Sequence, residues 1–174
     1  MNMGNIVSSG IQEFKQIIEK NCNDLQIDNL TPDTYQLFTD CLKEVLSSTG
    51  KVMITNFLNE YDVNEESIQF NGELYKNKII SKKKFLTFFG EIELKRTLYQ
   101  KDRGGKCYIP LDDKWGVTDE YASPDIQDAV LYSSAHMIPC EVEKLLEKRA
   151  FFNPSATAVQ NMIEKSAKVI EKNF

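Results

Sequence analysis

The sequence predicts an α+β protein with N-terminal helices, a small antiparallel β-meander and a C-terminal helix-turn-helix-like segment of three helices. Three observations carry this. Apolar residues recur at 3–4 spacing early and late in the chain. The middle switches to alternation around an Asn71-Gly72 turn. Two proline-led start signals, Thr31-Pro32-Asp33 and Ser123-Pro124-Asp125, mark helix beginnings. The expected regions are 1–64, 65–117 and 118–174.

In the first region, Ile6/Val7, Ile11, Phe14 and Ile17/Ile18 form one apolar stripe. Asn23 to Leu30 breaks it. From Thr31, a second stripe runs through Tyr35, Phe38, Cys41/Leu42, Val45/Leu46, Met53, Phe57/Leu58 and Tyr61. Gly50 is expected to kink or interrupt that helix, at a cost of about 1 kcal/mol. Two readings stay open: a helical hairpin packed on the rest, or a homodimerisation surface.

In the second region, Ser67 to Phe70 alternates and Asn71-Gly72 reads as a two-residue type I′ turn. Leu74 to Ile80 is the expected return strand, and Lys84 to Phe88 leads into a further strand from Glu91 to Tyr99. There Ile92, Leu94 and Leu98 mark one face, with Glu91, Glu93, Lys95 and Thr97 on the other. Asp102-Arg103-Gly104-Gly105 reads as a turn, and Cys107 to Pro110 as a short last strand.

In the third region, Ile126, Ala129/Val130, Ser133 and Met137 mark one inner face. Pro139 opens a second helix with Val142, Leu145 and Leu146 inward. Phe151 to Ser155 interrupts it. A third helix from about Ser155 carries Val159, Met162/Ile163, Ser166 and Val169/Ile170 at helical spacing. Three short helices with a break before the last form a helix-turn-helix layout.

The residue inventory excludes much chemistry. Cys22, Cys41, Cys107 and Cys140 form no CxxC pair and read as free thiols in a reducing, cytoplasmic setting. His136 is the only histidine, so neither a zinc site nor a nucleophile–histidine device is expected. There is no GxGxxG and no phosphate-binding Walker loop. Asp112 and Asp113 read as solvated turn residues. No catalytic residue, metal or cofactor is expected. No apolar run approaches the roughly 18–20 residues of a membrane span, and the N-terminus lacks the pattern of a secretory signal.

The formal net charge of −5 across 174 residues conceals an uneven distribution. Residues 1–75 carry −8, whereas residues 76–106 carry +7. Affinity for nucleic acid follows the local field, because each phosphate contact releases counterions wherever the basic patch lies. Lys82, Lys83, Lys84, Lys95, Arg96 and Arg103 are the candidate phosphate anchors; a lysine-protected edge strand is the alternative reading. On the third helix, Thr157, Gln160 and Asn161 stand opposite the apolar stripe as candidate base readers. Lys165 and Lys168 are candidate phosphate contacts there.

Several unusual residues recur in a recognisable order. Phe88-Phe89-Gly90-Glu91-Ile92-Glu93-Leu94-Lys95-Arg96-Thr97-Leu98-Tyr99 is followed by a glycine turn, Tyr108-Ile109-Pro110-Leu111-Asp112 and Trp115-Gly116. Ser123-Pro124, Leu145-Leu146 and Asn153-Pro154-Ser155-Ala156-Thr157-Ala158 come later. Over about residues 70–170 the chain resembles the N-terminal part of insertion-sequence transposases of the ISKra type.

The resemblance implies binding to double-stranded DNA at element ends, with Ser155 part of the matching segment. It also implies an RNase H-like domain beyond, whose carboxylates hold Mg²⁺ for strand transfer. The sequence reaches Phe174 where that domain would begin, so the expectation is a non-catalytic DNA-binding region of a truncated or split element. Some relatives carry a CxxC-like pair after the tyrosine. Asp102 to Gly105 stands there instead, so zinc is not carried over. The rival expectation is a protein-interaction module, a regulator derived from a transposase remnant.

Overall fold

The computed structural model describes residues 3–21, 29–101, 105–117 and 120–173. It has the expected α+β class: six helices and a four-stranded antiparallel sheet among the described residues. Two compact units divide it, Met1–Tyr61 and Asp62–Phe174. The sheet and the C-terminal helices belong to the same unit.

The first unit is a pair of helices, α1 (Met3–Asn21) and α2 (Pro32–Asn59). Thr31 starts α2 as the sequence suggests, and the mechanism is reciprocal. Its hydroxyl accepts the Thr34 N–H at 3.1 Å, while the Thr34 hydroxyl accepts the Thr31 N–H at 2.8 Å. Gly50 does not interrupt the helix, which runs unbroken across it. Gly10 lies against Met53 so closely that an added Cβ would stand 2.5 Å from the thioether sulfur. The absent side chain is what permits this helix–helix approach. Ile6, Val45 and Leu58 are buried, whereas Tyr35, Phe38, Leu42 and Leu46 are exposed. Cys41 is disulfide-bonded, which corrects the reading of four free thiols; Cys107 and Cys140 are free and exposed. Cys22 lies outside the described residues.

The sheet of the second unit has the order β1-β2-β3-β4, with β1 Ser67–Phe70, β2 Glu73–Thr87, β3 Gly90–Lys101 and β4 Cys107–Tyr108. Asn71 (φ 51°) and Gly72 (φ 77°) close the first hairpin with two consecutive left-handed residues, as a type I′ turn requires. What reads as two strands in the sequence is one long β2, irregular between Asn77 and Ile79, where the register with β3 shifts. Beyond β1, β2 and β3 form a two-stranded ribbon. Phe85, Ile92 and Leu94 bury one face, and the Trp115 ring lies 5.1 Å from that of Phe85. Trp115 ends α3 (Pro110–Trp115), a short helix where the sequence reads as a turn. Proline at its first position and Gly116 in the left-handed region just after its last define it.

Leu86 lies on the opposite face from Phe85 and joins the C-terminal core. That core holds Ala122, Ile126 and Val130 with Val142, Leu146, Phe152, Val159 and Met162. It is built by α4 (Pro124–Ser134), α5 (Pro139–Arg149) and α6 (Ala156–Asn173). Residues 121–123 tie these helices to the sheet: the Leu86 N–H donates to Tyr121 O and the Ser123 N–H to Leu86 O, at 2.8 and 2.9 Å. Two inward assignments differ. Met137 falls after α4 and is exposed, and Leu145 is turned toward solvent. Val169 and Ile170 lie outside the described side chains.

Candidate nucleic-acid interface

The candidate DNA contacts fall on two elements, the β2–β3 ribbon and α6. On the ribbon, strand parity separates the basic residues. Lys82 stands opposite Lys95 and Lys84 opposite Glu93, on one face. Lys83 pairs in register with Leu94, and Ser81 with Arg96, on the other.

The first face is mixed in charge. Lys82 reaches Glu93 at 3.0 Å and Lys84 reaches Glu91 at 2.8 Å. The hydrogen bond to Glu91, then its negative charge, raises the Lys84 ammonium above its ordinary pKa. Like charges directly opposite each other disfavour pairing, and Glu93 relieves the Lys82–Lys95 juxtaposition from the diagonal. Lys95 is exposed and makes no ion pair among the described residues. On the other face, the Lys83 amine stands 4.7 Å from the centre of the Phe85 ring.

Arg96 departs from its expected role. It is 3% exposed, with its guanidinium paired to Asp112 and Nη2 donating to Ser81 Oγ at 3.3 Å. Its position in β3 explains this: two residues after Leu94, it shares the apolar face. Asp112 is correspondingly buried in α3, not a solvated turn residue. A cleft of about 530 Å³ beside this pair is lined by Lys83, Arg96, Asp112 and Asp113, two cations against two carboxylates. That balance gives a phosphate no preference for the cleft. Arg103 lies outside the described residues.

The α6 candidates share one surface. Val159 and Met162 are buried, while Thr157, Gln160, Asn161, Lys165 and Lys168 are exposed in a row along the helix. The spacing of the apolar residues dictates this, since residues three and four apart share a face. Ser155 is occupied by the helix itself: its Oγ accepts the Ala158 N–H at 3.2 Å.

No protein-family model matches the chain, and no curated protein matches it.

Two acidic residues stand beside the α6 row: Glu164, which the helical spacing places on the same face, and Glu120, which sequence reasoning overlooked. Gln160 Nε2 donates to Glu164 Oε1 at 2.9 Å, and Lys165 reaches Glu120 Oε2 at 3.1 Å. Glu120, Tyr121, Asn161, Glu164, Lys165 and Lys168 line a cleft of about 360 Å³. The Gln160–Glu164 pair was available from its four-residue spacing on a predicted helix. Glu120 had no such local signal. Among the described residues, no cluster of His, Cys, Asp and Glu could hold a metal ion, and no helix is long and apolar enough to cross a membrane.

Proposed function

We propose that this chain is a DNA-binding region of the transposase type, recognising duplex DNA at element ends through α6 and performing no strand transfer itself. The observation that carries the reading is the exposed row Thr157, Gln160, Asn161, Lys165 and Lys168 on the last of three helices with a shared apolar core. An 18-residue helix is about 27 Å long, and the B-DNA major groove admits one. Asn and Gln supply the donor–acceptor pairs that base edges recognise, and the two lysines supply charge for phosphates. Lys82, Lys84 and Lys95 add a second basic strip, tempered by Glu91 and Glu93. The expected setting is the cytoplasm, where a disulfide such as that at Cys41 is uncommon.

The test is the anisotropy of labelled duplexes taken from either side of the chain's own reading frame, titrated at several salt concentrations. Affinity that falls linearly in log K against log salt supports the reading. Absence of binding at low salt overturns it.

A second reading has its own observation. Tyr35, Phe38, Leu42 and Leu46 are exposed along one side of α2, an arrangement suited to pairing with another helix. Under it the chain is a protein-interaction module. A mass that rises with concentration, without DNA affinity, is its signature.

A further inference from the structure

The geometry points to Glu164 as the residue that makes Gln160 an adenine reader; this rests on the DNA-binding reading above. A glutamine carboxamide offers an oxygen acceptor and two N–H donors. On an exposed helix it can turn over, exchanging oxygen for nitrogen, and so has no fixed preference among base edges.

Glu164 removes that freedom. Its carboxylate lies one turn further along α6 and accepts a hydrogen bond from Gln160 Nε2 at 2.9 Å. An ionised carboxylate accepts only, so the reversed amide would set oxygen against oxygen. One N–H is thereby committed. One N–H and the carbonyl oxygen remain for the groove, side by side.

That remainder matches adenine. In the major groove adenine presents N7 as acceptor and N6–H₂ as donor, which the remaining N–H and oxygen satisfy together. Guanine presents two acceptors, N7 and O6, and would require both N–H groups of Gln160. Glu164 holds one of them, so guanine leaves O6 facing the amide oxygen. The carboxylate thus sets orientation and rejects the other purine. Lys165, next along the chain, reaches Glu120. Glu164 is a positioning residue, acting on the base through Gln160.

Selection of bound sites from a randomised duplex library tests this, with the full chain as wild type, Gln160→Ala, Glu164→Ala and Glu164→Gln. The wild type is expected to enrich adenine about tenfold over guanine at one position, near the low end for a bidentate contact. Gln160→Ala and Glu164→Ala should both lose that enrichment. Glu164→Ala should still bind duplex DNA at least as tightly, since a negative charge has gone. Glu164→Gln offers an N–H donor as well as an acceptor oxygen, so it can pair with either orientation of the Gln160 amide and should also lose most of the adenine preference. Unchanged adenine enrichment in Glu164→Ala, or enrichment that survives Gln160→Ala, overturns the inference while leaving DNA binding intact. Failure of the wild type to bind any duplex overturns both.

Discussion

The Arg96 guanidinium and the Asp112 carboxylate form a buried ion pair that joins β3 to α3, with side chains only 4% and 7% exposed. Among the described residues, Arg96 Nε and Asp112 Oδ1 have no hydrogen-bond partner, so the pair is incompletely satisfied there. Breaking such a pair leaves a charge without compensation in an apolar setting, whereas replacing both partners removes the desolvation cost as well. Asp112→Ala should therefore destabilise the second unit by about 3–5 kcal/mol. The double replacement Arg96→Met with Asp112→Leu should lie near wild type or above it. Urea unfolding of the three proteins checks this. A double variant as unstable as the single one would refute the account.

Tyr99 secures the start of the second unit. Its ring is fully buried, its hydroxyl donates toward the carbonyls of Val63 at 2.9 Å and Glu65 at 3.1 Å, and it accepts the Glu65 N–H at 2.9 Å. Tyr99→Phe keeps the packing but leaves those backbone groups short of a partner. The expected loss is about 1–3 kcal/mol, with faster amide exchange at Glu65. Unaltered exchange there would show that the hydroxyl does not hold the segment.

These two residues show how far the sequence could be read. The hairpin at Asn71-Gly72, the start of α2 at Thr31 and the apolar face of α6 all follow from local chemistry, and the structure has them. Arg96 was legible but misleading. Its charge suggests phosphate, whereas its parity with Ile92 and Leu94 places it inside. Its partner could not be found the same way, because Asp112 reaches it only once α3 has folded against the sheet. Asp62 is similar. Its carboxylate accepts from the Thr97 backbone N–H at 3.1 Å and the Thr97 hydroxyl at 2.8 Å across 35 positions of sequence. On α6, the row of polar residues was readable from spacing, but the Lys165–Glu120 pair depends on how the preceding loop returns.

Gly10 allows α1 and α2 to approach. A Cβ there would meet the Met53 side chain at 2.5 Å, and Met53 is flexible enough to yield to a methyl group. Gly10→Ala should accordingly cost little, because the better helix propensity of alanine offsets the shift. Gly10→Val adds two more carbons at the same point and should destabilise the first unit by about 1–3 kcal/mol. Thermal unfolding followed by circular dichroism separates the cases, and equal midpoints for both variants would count against close packing at this site.

Tyr108 gives the second unit an alkaline signature. Its ring stacks on Phe70 at 3.8 Å between centroids, and its hydroxyl donates to Asp113 Oδ2 at 2.9 Å. Burial, then the hydrogen bond and charge of Asp113, pushes the phenol up to about 12 from an ordinary 10.0. The unfolded chain loses this proton first as pH rises. The stabilising contribution is therefore complete below pH 10 and is lost between about pH 10 and 12. The difference in phenolate absorbance between wild type and Tyr108→Phe should titrate near the upper value. In Asp113→Asn the same difference should titrate lower. A midpoint near 10 in the wild type would remove the Asp113 interaction from the account.

The lysines on α6 and on the ribbon should separate in their salt dependence. Lys168 is exposed on the α6 row and makes no ion pair among the described residues, so a phosphate bound to it releases a counterion from DNA. Lys82 already has Glu93 at 3.0 Å, and a phosphate would have to displace that carboxylate or share the lysine with it. Lys168→Ala should weaken binding to all duplexes alike and make the slope of log K against log salt shallower by about 0.9. Lys82→Ala should change the slope less. Anisotropy titrations over a range of salt concentrations measure both, and a larger slope change for Lys82→Ala would move the main phosphate contact from α6 to the ribbon.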